Sequence, residues 1–274
     1  MNKIFAFVKP LIEKFPRLAA IYRMLRDESA FSEEPIKTPW DFKLAGNSLM
    51  ATGNFEPEET TLIRQLLNEV DVMVNVGANI GYYCCHALSM GKEVIAFEPM
   101  CDNIRYLCKN LDINGWACEI YPIALSNKVG ILKMYGGGTG ASTVKGWAGN
   151  SETTFSYAPC STLDKVLGTR LKGKKVLFIV DVEGAEQWML EGSESILKND
   201  TKPIWLIEIT AVAQQPKGVK INPQLINTFK LMFDAGYTAV TADHSMNSIT
   251  IKEVKDAQNG EPTILNTIHN FIFR

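Results

Sequence analysis

The sequence predicts an α/β fold built on a Rossmann-like, doubly wound sheet that is mostly parallel. Over residues 56–210, apolar runs of strand length alternate with helical segments, as in a parallel sheet with helices on both faces. Two of these runs, Val176–Val182 and Ile204–Ile209, are apolar almost throughout, as strands buried on both faces must be. The chain of 274 residues is 46% apolar and 21% charged, a composition that excludes a disordered or fibrous protein.

Residues 1–55 precede this alternation and are predicted to form a helical extension or lid on a main domain at residues 56–274. Near the N-terminus, basic residues interleave with apolar ones, and Pro10 and Pro16 divide the pattern into short amphipathic helices. We expect packing on the main domain, with weak contact to a membrane surface as the alternative.

The sequence also predicts a cytoplasmic location. No apolar run approaches the roughly 18 residues that cross a bilayer, and Lys9 interrupts the stretch that most resembles a signal peptide. The six cysteines include no CxxC pair, which is typical of a protein in a reducing compartment.

The main domain is predicted element by element from periodicity and from helix-breaking residues. Its first half has helices at Thr60–Leu67, Tyr82–Ser89 and Asn103–Leu111, the last with Asp102 as N-cap, and strands at Val72–Val76, Val94–Phe97 and Cys118–Pro122. A hairpin with the glycine-rich loop Gly136–Gly140 is expected over residues 131–160. The second half continues with the strands Val176–Val182 and Ile204–Ile209, a helix at Pro223–Asp234, and strands at Tyr237–Thr241 and Ile268–Phe273. The last two strands are expected to form an antiparallel hairpin at one sheet edge.

A glycine-rich turn, Gly77-Ala-Asn-Ile-Gly81, connects a predicted buried strand to a helix. Its two glycines let the backbone approach a ligand closely, and the helix presents its N-terminal amides. A dinucleotide fingerprint would have the spacing G-x-G-x-x-G, but Asn79 stands at the position of the middle glycine. A nicotinamide-dependent oxidoreductase is therefore the weaker interpretation of this turn.

Carboxylates stand at the carboxyl ends of three predicted strands, where open α/β sheets bind ligands. Glu98 lies 21 residues after the first glycine of the turn, as does an acid that accepts ribose hydroxyls. Asp181 and Glu183 end a central strand, and Glu208 ends the next one. The alternative for Asp181 or Glu183 is to cap the helix that begins near Ala185. Three carboxylates can also bind a divalent cation, but no His or Asn spacing supports a metal, and none is predicted.

These motifs, in this order, resemble the FkbM family of S-adenosylmethionine-dependent methyltransferases. The resemblance covers roughly residues 50–210 and rests on the segments Thr52–Glu56 with Glu59–Thr60, Asn75–Tyr83, Phe97–Pro99, Lys109–Asn110 with Asn114–Gly115, Ile123–Ser126, Thr162–Asp164 and Asp181–Glu186. It implies a class I methyltransferase fold, whose doubly wound sheet carries an antiparallel edge hairpin, and S-adenosyl-L-methionine as the cofactor.

The resemblance also implies roles for individual residues. The methionine portion of the cofactor would lie at Asn75, Gly77, Ala78, Asn79 and Gly81. Glu98 would hold the ribose, Ala124 and Leu125 would lie near the adenine, and Asp181 and Glu183 would lie beside the activated methyl group. Two positions depart from the family pattern, since Asn75 stands where the family usually has Asp, and Ile179 where it usually has Lys.

The expected reaction is methyl transfer to a hydroxyl oxygen of a sugar, glycan or small natural product. A hydroxyl is a poor nucleophile and needs a base; Asp181 and Glu183 are the first candidates, followed by Glu208 and His244. The net charge of −2 provides no global field to attract nucleic acid, so a nucleic-acid acceptor is disfavoured. A catalytically silent nucleoside-binding or interaction protein with the same fold is the alternative, motivated by the two departures.

Four further residues have weaker predictions. His86, inside a predicted helix, is expected to be structural. Ser142 and Thr143, after the glycine-rich loop, either contact substrate or belong to a flexible hairpin tip. Trp147 is a hypothetical stacking platform for a sugar.

Overall fold

The computed structural model describes residue 31 and residues 34–274. Its strands are β1 (Ile36–Lys37), β2 (Lys43–Leu44), β3 (Val72–Val76), β4 (Glu93–Phe97), β5 (Glu119–Tyr121), β6 (Ala124–Leu125), β7 (Gly130–Tyr135), β8 (Phe155–Ser161), β9 (Val176–Val180), β10 (Ile204–Glu208), β11 (Ala239–Thr241), β12 (Ser248–Ile249) and β13 (Asn270–Phe273). Its α-helices are α1 (Ser48–Thr52), α2 (Pro57–Leu67), α3 (Tyr82–Ser89), α4 (Cys101–Asp112), α5 (Leu163–Leu167), α6 (Glu186–Glu191), α7 (Glu194–Leu197), α8 (Leu225–Asp234) and α9 (Ile251–Gln258). Short 3₁₀ turns lie at Gly138–Gly140, Trp147–Gly149 and Ile264–Asn266.

The central sheet has eight strands in the order β12-β11-β13-β10-β9-β3-β4-β5. Strands β10, β9, β3, β4 and β5 are mutually parallel, which confirms the predicted doubly wound α/β fold. From β3 the chain proceeds outward through β4 and β5, and it returns to β9 on the other side of β3. The strand order therefore reverses between β3 and β9, and open sheets of this kind bind ligands in the crevice at that point.

The antiparallel pairing of the last two predicted strands is confirmed, but they do not form a simple edge hairpin. Strand β13 inserts between β10 and β11 and is antiparallel to both, with Ile272 opposite Leu206 and Val240. The short β12 pairs with β11 and forms the edge. Insertion lets β13 bury apolar side chains on both faces, which its sequence Asn-Phe-Ile-Phe supplies.

Two apolar layers cover the sheet, one on each face. Alternation along β9 sends Phe178 and Val180 into one layer with α5, α6, α8 and α9, and Leu177 and Ile179 into the other with α2, α3 and α4. The first layer includes a stacked pair, Phe178 and Trp205, whose ring centroids are 4.0 Å apart. Ile179 is buried in the second layer, so an apolar residue suits that position.

The predicted hairpin over residues 131–160 is also confirmed. Strands β7 and β8 pair antiparallel from Gly130 opposite Cys160 to Tyr135 opposite Phe155, and β6 adds to β8 in parallel. The predicted N-cap of α4 is wrong. Met100 is the N-cap residue, without a side-chain hydrogen bond, and Asp102 lies in the first turn, where its charge still favours the helix dipole.

The described part of the predicted extension, residues 34–55, is an antiparallel pair of short strands followed by α1. It packs on α3 through an aromatic cluster that includes Phe42 and Tyr82. The amphipathic helices predicted nearer the N-terminus lie outside the described residues. Among the described residues, no helix has the length and apolar character that a membrane span needs.

Candidate active site

The switch point between β3 and β9 is where two backbone segments come into direct contact. The amide of Asp181 donates to the carbonyl of Val76 at 3.0 Å. A Cβ atom on Gly77 would lie 1.8 Å from the carbonyl oxygen of Asp181, and Gly77 has φ +84°. Glycine is thus required here by the neighbouring strand end as well as by the turn.

The rest of the turn holds the ends of β3, α3 and β4 together. The amides of Gly77 and Ala78 both donate to the carbonyl of Phe97 at 2.9 Å, and the amide of Asn79 donates to Glu98 Oε2 at 2.7 Å. A Cβ atom on Gly81 would lie 2.3 Å from Leu107 Cδ1. The amides expected to face a ligand therefore mostly bind the protein, and Gly81 serves packing between α3 and α4.

Glu98 is buried at the end of β4, with 3% of its surface exposed. Besides the backbone amide of Asn79, two other groups donate to its carboxylate. They are the backbone amide of Met100 at 2.9 Å and the side-chain amide of Asn103 at 3.1 Å. Burial raises the pKa of Glu98, and these donors oppose the rise. A carboxylate offers about four acceptor positions, so roughly one remains for a ligand hydroxyl.

A first cavity opens beside Glu98. The predicted Ala124 and Leu125 line it, as do Asp181 and Glu183. Its other lining residues are Val76, Gly77, Asn79, Phe97, Pro99, Met100, Asn103, Ile123, Met134, Gly138, Thr139, Ala141, Thr143, Val182 and Ala185. The hydroxyl of Thr143 is buried without a partner among the described residues, so a ligand in this cavity can supply one.

A second cavity lies on the other side of Asp181 and shares Gly77, Asn79 and Asp181 with the first. Four carboxyl groups line it, from Glu56, Glu59, Asp181 and Glu208. Its remaining lining residues are Met50, Phe55, Asn75, Ala78, Tyr82, Tyr83, Ile179, Val180, Leu206 and Asn270. No lysine or arginine of the described chain lines this cavity, so no basic side chain balances these carboxyl groups there.

Burial and the neighbouring carboxyl groups raise the pKa values of three of these groups. Burial, followed by the charges of Glu183 and Glu186, raises the pKa of Asp181 well above its usual range. Burial and the neighbouring Asp181 raise the pKa of Glu208 to about 10. Burial and the neighbouring Glu56 raise the pKa of Glu59 to about 8. A cation in the cavity would reverse these shifts because it stabilises the charged carboxylates.

Glu56 and Glu59 were not among the predicted site residues. The hydroxyl of Tyr83 donates to the carboxylate of Glu56 at 2.9 Å, and the side-chain amide of Asn270 donates to the carboxylate of Glu59 at 2.6 Å. Two glutamates three residues apart at the start of a helix share one face, which is a signal the sequence contains. What that face meets depends on Asn270, 211 residues away.

Glu183 follows β9 in a left-handed conformation, with φ +54°. The indole N–H of Trp147 donates to its carboxylate at 2.6 Å, and the hydroxyl of Ser142 donates to its carbonyl at 2.6 Å. Neither Asp181 nor Glu183 caps α6, since Ala185 is the N-cap residue and makes no side-chain bond. The capping alternative is therefore wrong, and both carboxyl groups line the first cavity.

Three predicted site residues have other surroundings. His244 lines neither cavity; its side chain is 82% exposed, and Nε2 lies 3.9 Å from Glu58 Oε2. Asn75 is buried in β3, lines the second cavity and donates to Cys84 Sγ at 3.5 Å. Ala78 also lines the second cavity. Among the described residues, no group of three or more His, Cys, Asp or Glu side chains has an arrangement that could hold a metal.

Three of the four weaker candidates are buried structural residues, whereas Thr143 lines the first cavity. His86 is buried in the aromatic cluster on α3, and burial lowers its pKa to about 3. Trp147 is 3% exposed, so the sugar-stacking hypothesis is wrong. Ser142 is fully buried and its hydroxyl binds the backbone of Glu183 and Val144, so it is neither exposed to a substrate nor part of a flexible tip.

Comparisons with solved structures give distant likenesses at low TM-scores. Precorrin-6y C5,15-methyltransferase from Geobacter metallireducens has a TM-score of 0.43 and 11% identity, over 84% of this chain and 94% of that chain. A SAM-dependent methyltransferase from Agrobacterium tumefaciens has 0.42 and 10%, over 88% and 68%. A TehB-like SAM-dependent methyltransferase from Corynebacterium glutamicum has 0.41 and 10%, over 82% and 90%. A comparison with curated proteins gives no match.

The family comparison is decisive. The model of the methyltransferase FkbM domain matches residues 75–239, more than half of the chain. The matched segment begins in β3 and ends in β11, and so it includes the glycine turn, Glu98 and the carboxylates after β9 and β10. The chain belongs to the FkbM family of S-adenosylmethionine-dependent methyltransferases.

Proposed function

We propose that the protein transfers the methyl group of S-adenosylmethionine to a hydroxyl oxygen of a sugar, glycan or small natural product. The observation that carries the proposal is the position of Asp181, which lines both cavities, with Glu183 and Glu208 nearby. A carboxylate at the junction of two adjoining cavities can take a proton from one ligand while the other lies alongside.

The residues of the first cavity fit the nucleoside part of the cofactor. Ala124 and Leu125 supply an apolar wall for the adenine, Glu98 retains one acceptor position for a ribose hydroxyl, and Thr143 has a hydroxyl in need of a partner. The methionine end would lie at Gly77 and Asn79, which line both cavities. When bound, S-adenosylmethionine supplies a methyl group on a positively charged sulfur.

The residues around the junction supply alignment, exclusion of water and a base. Glu208 retains its proton at neutral pH because its pKa is raised to about 10, and the pKa of Asp181 is raised as well. Beside a positive charge their protons dissociate more readily. Asp181 or Glu183 would then take the acceptor's proton, with Glu208 as the next candidate; His244 lines neither cavity and is not proposed as a base.

The test is methyl transfer from S-adenosylmethionine to a panel of mono- and oligosaccharides and phenolic or polyol natural products, with the methylated product detected by mass spectrometry. We expect turnover with a hydroxylated acceptor, and large losses in Asp181→Asn or Glu183→Gln while calorimetry still shows cofactor binding. Glu191→Gln is the matched control, because Glu191 is an exposed carboxylate outside both cavities.

Two results would contradict the proposal. Near-normal turnover of both Asp181→Asn and Glu183→Gln, with intact cofactor binding, would remove the base assignment. Tight cofactor binding without methylation of any acceptor would favour the catalytically silent binding protein instead.

A further inference from the structure

The segment between β7 and β8 contacts the loop after β9 and makes hydrogen bonds to Glu183 there. Ser142 donates to the Glu183 carbonyl and Trp147 to the Glu183 carboxylate, each at 2.6 Å. The indole ring also covers Gly184, where a Cβ atom would lie 2.6 Å from the ring. One residue thus has its backbone, its side chain and its neighbour held by the same insertion.

This insertion is itself anchored at both ends. Ser142 pairs with Tyr135 at the end of β7 through backbone hydrogen bonds of 2.7 and 3.0 Å. The amide of Ala148 donates to the carbonyl of Gln214 at 2.7 Å, and the side-chain amide of Asn150 donates to the carbonyl of Gly140 at 2.8 Å. These hydrogen bonds therefore hold the segment that carries Trp147 in place beside Glu183.

Glu183 needs such support because its backbone is left-handed, with φ +54°, a conformation that residues with a Cβ atom adopt at a cost. The groups that face it are acidic. Asp181 and Glu186 lie on the same segment, Glu208 on β10, and Glu98 across the first cavity.

No described cation balances this charge in the cavity. Lys145, on the insertion, is more than half exposed and pairs with Glu152 at 2.9 Å, and no lysine or arginine lines either cavity. Burial raises the pKa of Glu183, and the hydrogen bond from Trp147 opposes the rise. A short bond from an N–H donor favours the charged carboxylate.

We propose that Trp147 is a positioning residue for methyl transfer, whose indole N–H holds the Glu183 carboxylate charged and directed at the first cavity. The inference rests on the proposed function, in which Glu183 is a candidate base. Trp147 itself is buried and lines neither cavity.

The first test measures the Glu183 titration directly and needs no acceptor. In protein labelled with ¹³C at the glutamate carboxyl carbons, the Glu183 signal is assigned by its loss in Glu183→Gln. Trp147→Phe keeps an aromatic ring but removes the donor, and we expect the Glu183 pKa to rise by about one unit, as for loss of one charge-assisted hydrogen bond. Trp205→Phe is the control, because Trp205 is a buried tryptophan whose N–H binds Tyr237; it should leave the Glu183 signal unchanged.

The second test is the pH profile of kcat/KM. In Trp147→Phe the acid limb should move up by about one pH unit, with a loss of about tenfold below the limb and recovery at high pH, while KM for the cofactor stays unchanged. If Trp147→Phe does not fold, 3-benzothienylalanine at position 147 replaces the N–H by sulfur in an almost identical ring. The double variant with Glu183→Gln should lack the shift.

The outcomes separate the two proposals. An unchanged Glu183 titration in Trp147→Phe, or a loss of activity that is equal at all pH values, would overturn the role of Trp147 and leave the proposed function intact. Normal turnover of Glu183→Gln would show that Glu183 is not the base, and the positioning role would fail with it even if the titration shifts.

Discussion

Gly77 lies where the ends of the two central strands, β3 and β9, come into contact. Its Cα lies so close to the carbonyl of Asp181 that a methyl group would clash with backbone, which cannot rotate away as a side chain can. The same residue lines both cavities. Space for the ligand and packing of the sheet therefore depend on one missing side chain.

Gly77→Ala should destabilise the protein far more than Gly91→Ala. Both glycines have positive φ, +84° and +71°, but nothing lies within 4 Å of a Cβ atom on Gly91. The left-handed strain of roughly 1–2 kcal/mol is common to both, so the difference, which we expect to exceed about 2 kcal/mol, reports the clash with Asp181. Urea unfolding measures it, and equal losses would show that the strand ends can separate without cost.

Glu98→Ala should weaken cofactor binding at least tenfold in a calorimetric titration. One hydrogen bond to a carboxylate is worth about 1.5–3 kcal/mol, and the change also releases the amide of Asn79 at the turn. Glu93→Ala is the control, since Glu93 is at the exposed start of the same strand and pairs with Lys174. Unchanged affinity in Glu98→Ala would place the ribose elsewhere.

At the scale of elements, one asparagine of α4, Asn110, and one in the turn after it, Asn114, bind the backbone of the segment before α1. Asn110 accepts from the amide of Ala45 at 2.7 Å and donates to the carbonyls of Ala45 and Ile80 at 3.1 and 2.8 Å. Asn114 accepts from the amide of Lys43 at 2.8 Å and donates to its carbonyl at 2.7 Å. Together they dock residues 43–45 beside the glycine turn.

Asn110→Ala should cost about 3 kcal/mol of unfolding free energy, because it leaves buried backbone groups without partners. Asn114→Ala removes a comparable set of bonds near the surface, where water replaces them, and should cost about 1 kcal/mol or less. Cofactor affinity should fall only in Asn110→Ala, since Ile80 belongs to the turn. Equal costs in urea unfolding would indicate that the docking site is hydrated.

At the scale of the whole molecule, the buried carboxyl groups of the second cavity make the stability of the protein depend on pH. The pKa of Glu59 is raised to about 8 and that of Glu208 to about 10, both from 4.5, with burial as the first cause. For an acid whose pKa is raised by folding, the stabilising contribution is complete below the unfolded value and is lost as the pH rises through the folded value.

The free energy of unfolding of the cofactor-free protein should therefore fall between pH 7 and pH 8.5. His86 does not interfere there, because it is neutral in both states above its unfolded value of 6.5, and thiols with an unfolded value of 9.0 contribute little below pH 8.5. Glu208→Gln should reduce the slope, and exposed Glu191→Gln should not. Stability that rises over this range would contradict the raised values.

Local signals in the sequence predicted much of this fold. The bounds of β3 and α3 agree with the structure to the residue, because the buried apolar run ends at Gly77, which turns the chain, and Gly81 is the N-cap residue of the helix. Carboxylates at strand ends were found because parallel topology brings those ends to one edge. The insertion of β13 between β10 and β11 was not predicted, since an apolar strand suits a central position in the sheet as well as an edge hairpin.

The sequence by itself determined the family, the doubly wound sheet, and the places of Glu98, Asp181, Glu183 and Glu208. Each of these follows from local features of the sequence, namely the periodicity of apolar residues, the residues of the turns and the order of the motifs. Only the tertiary structure decided which distant side chains meet. It brought Asn270 to Glu59 and Trp147 to Glu183, and it left His244 at the surface. The physical reason is that hydrogen bonds and raised pKa values depend on distances across the sheet, which strand order sets and local periodicity does not record.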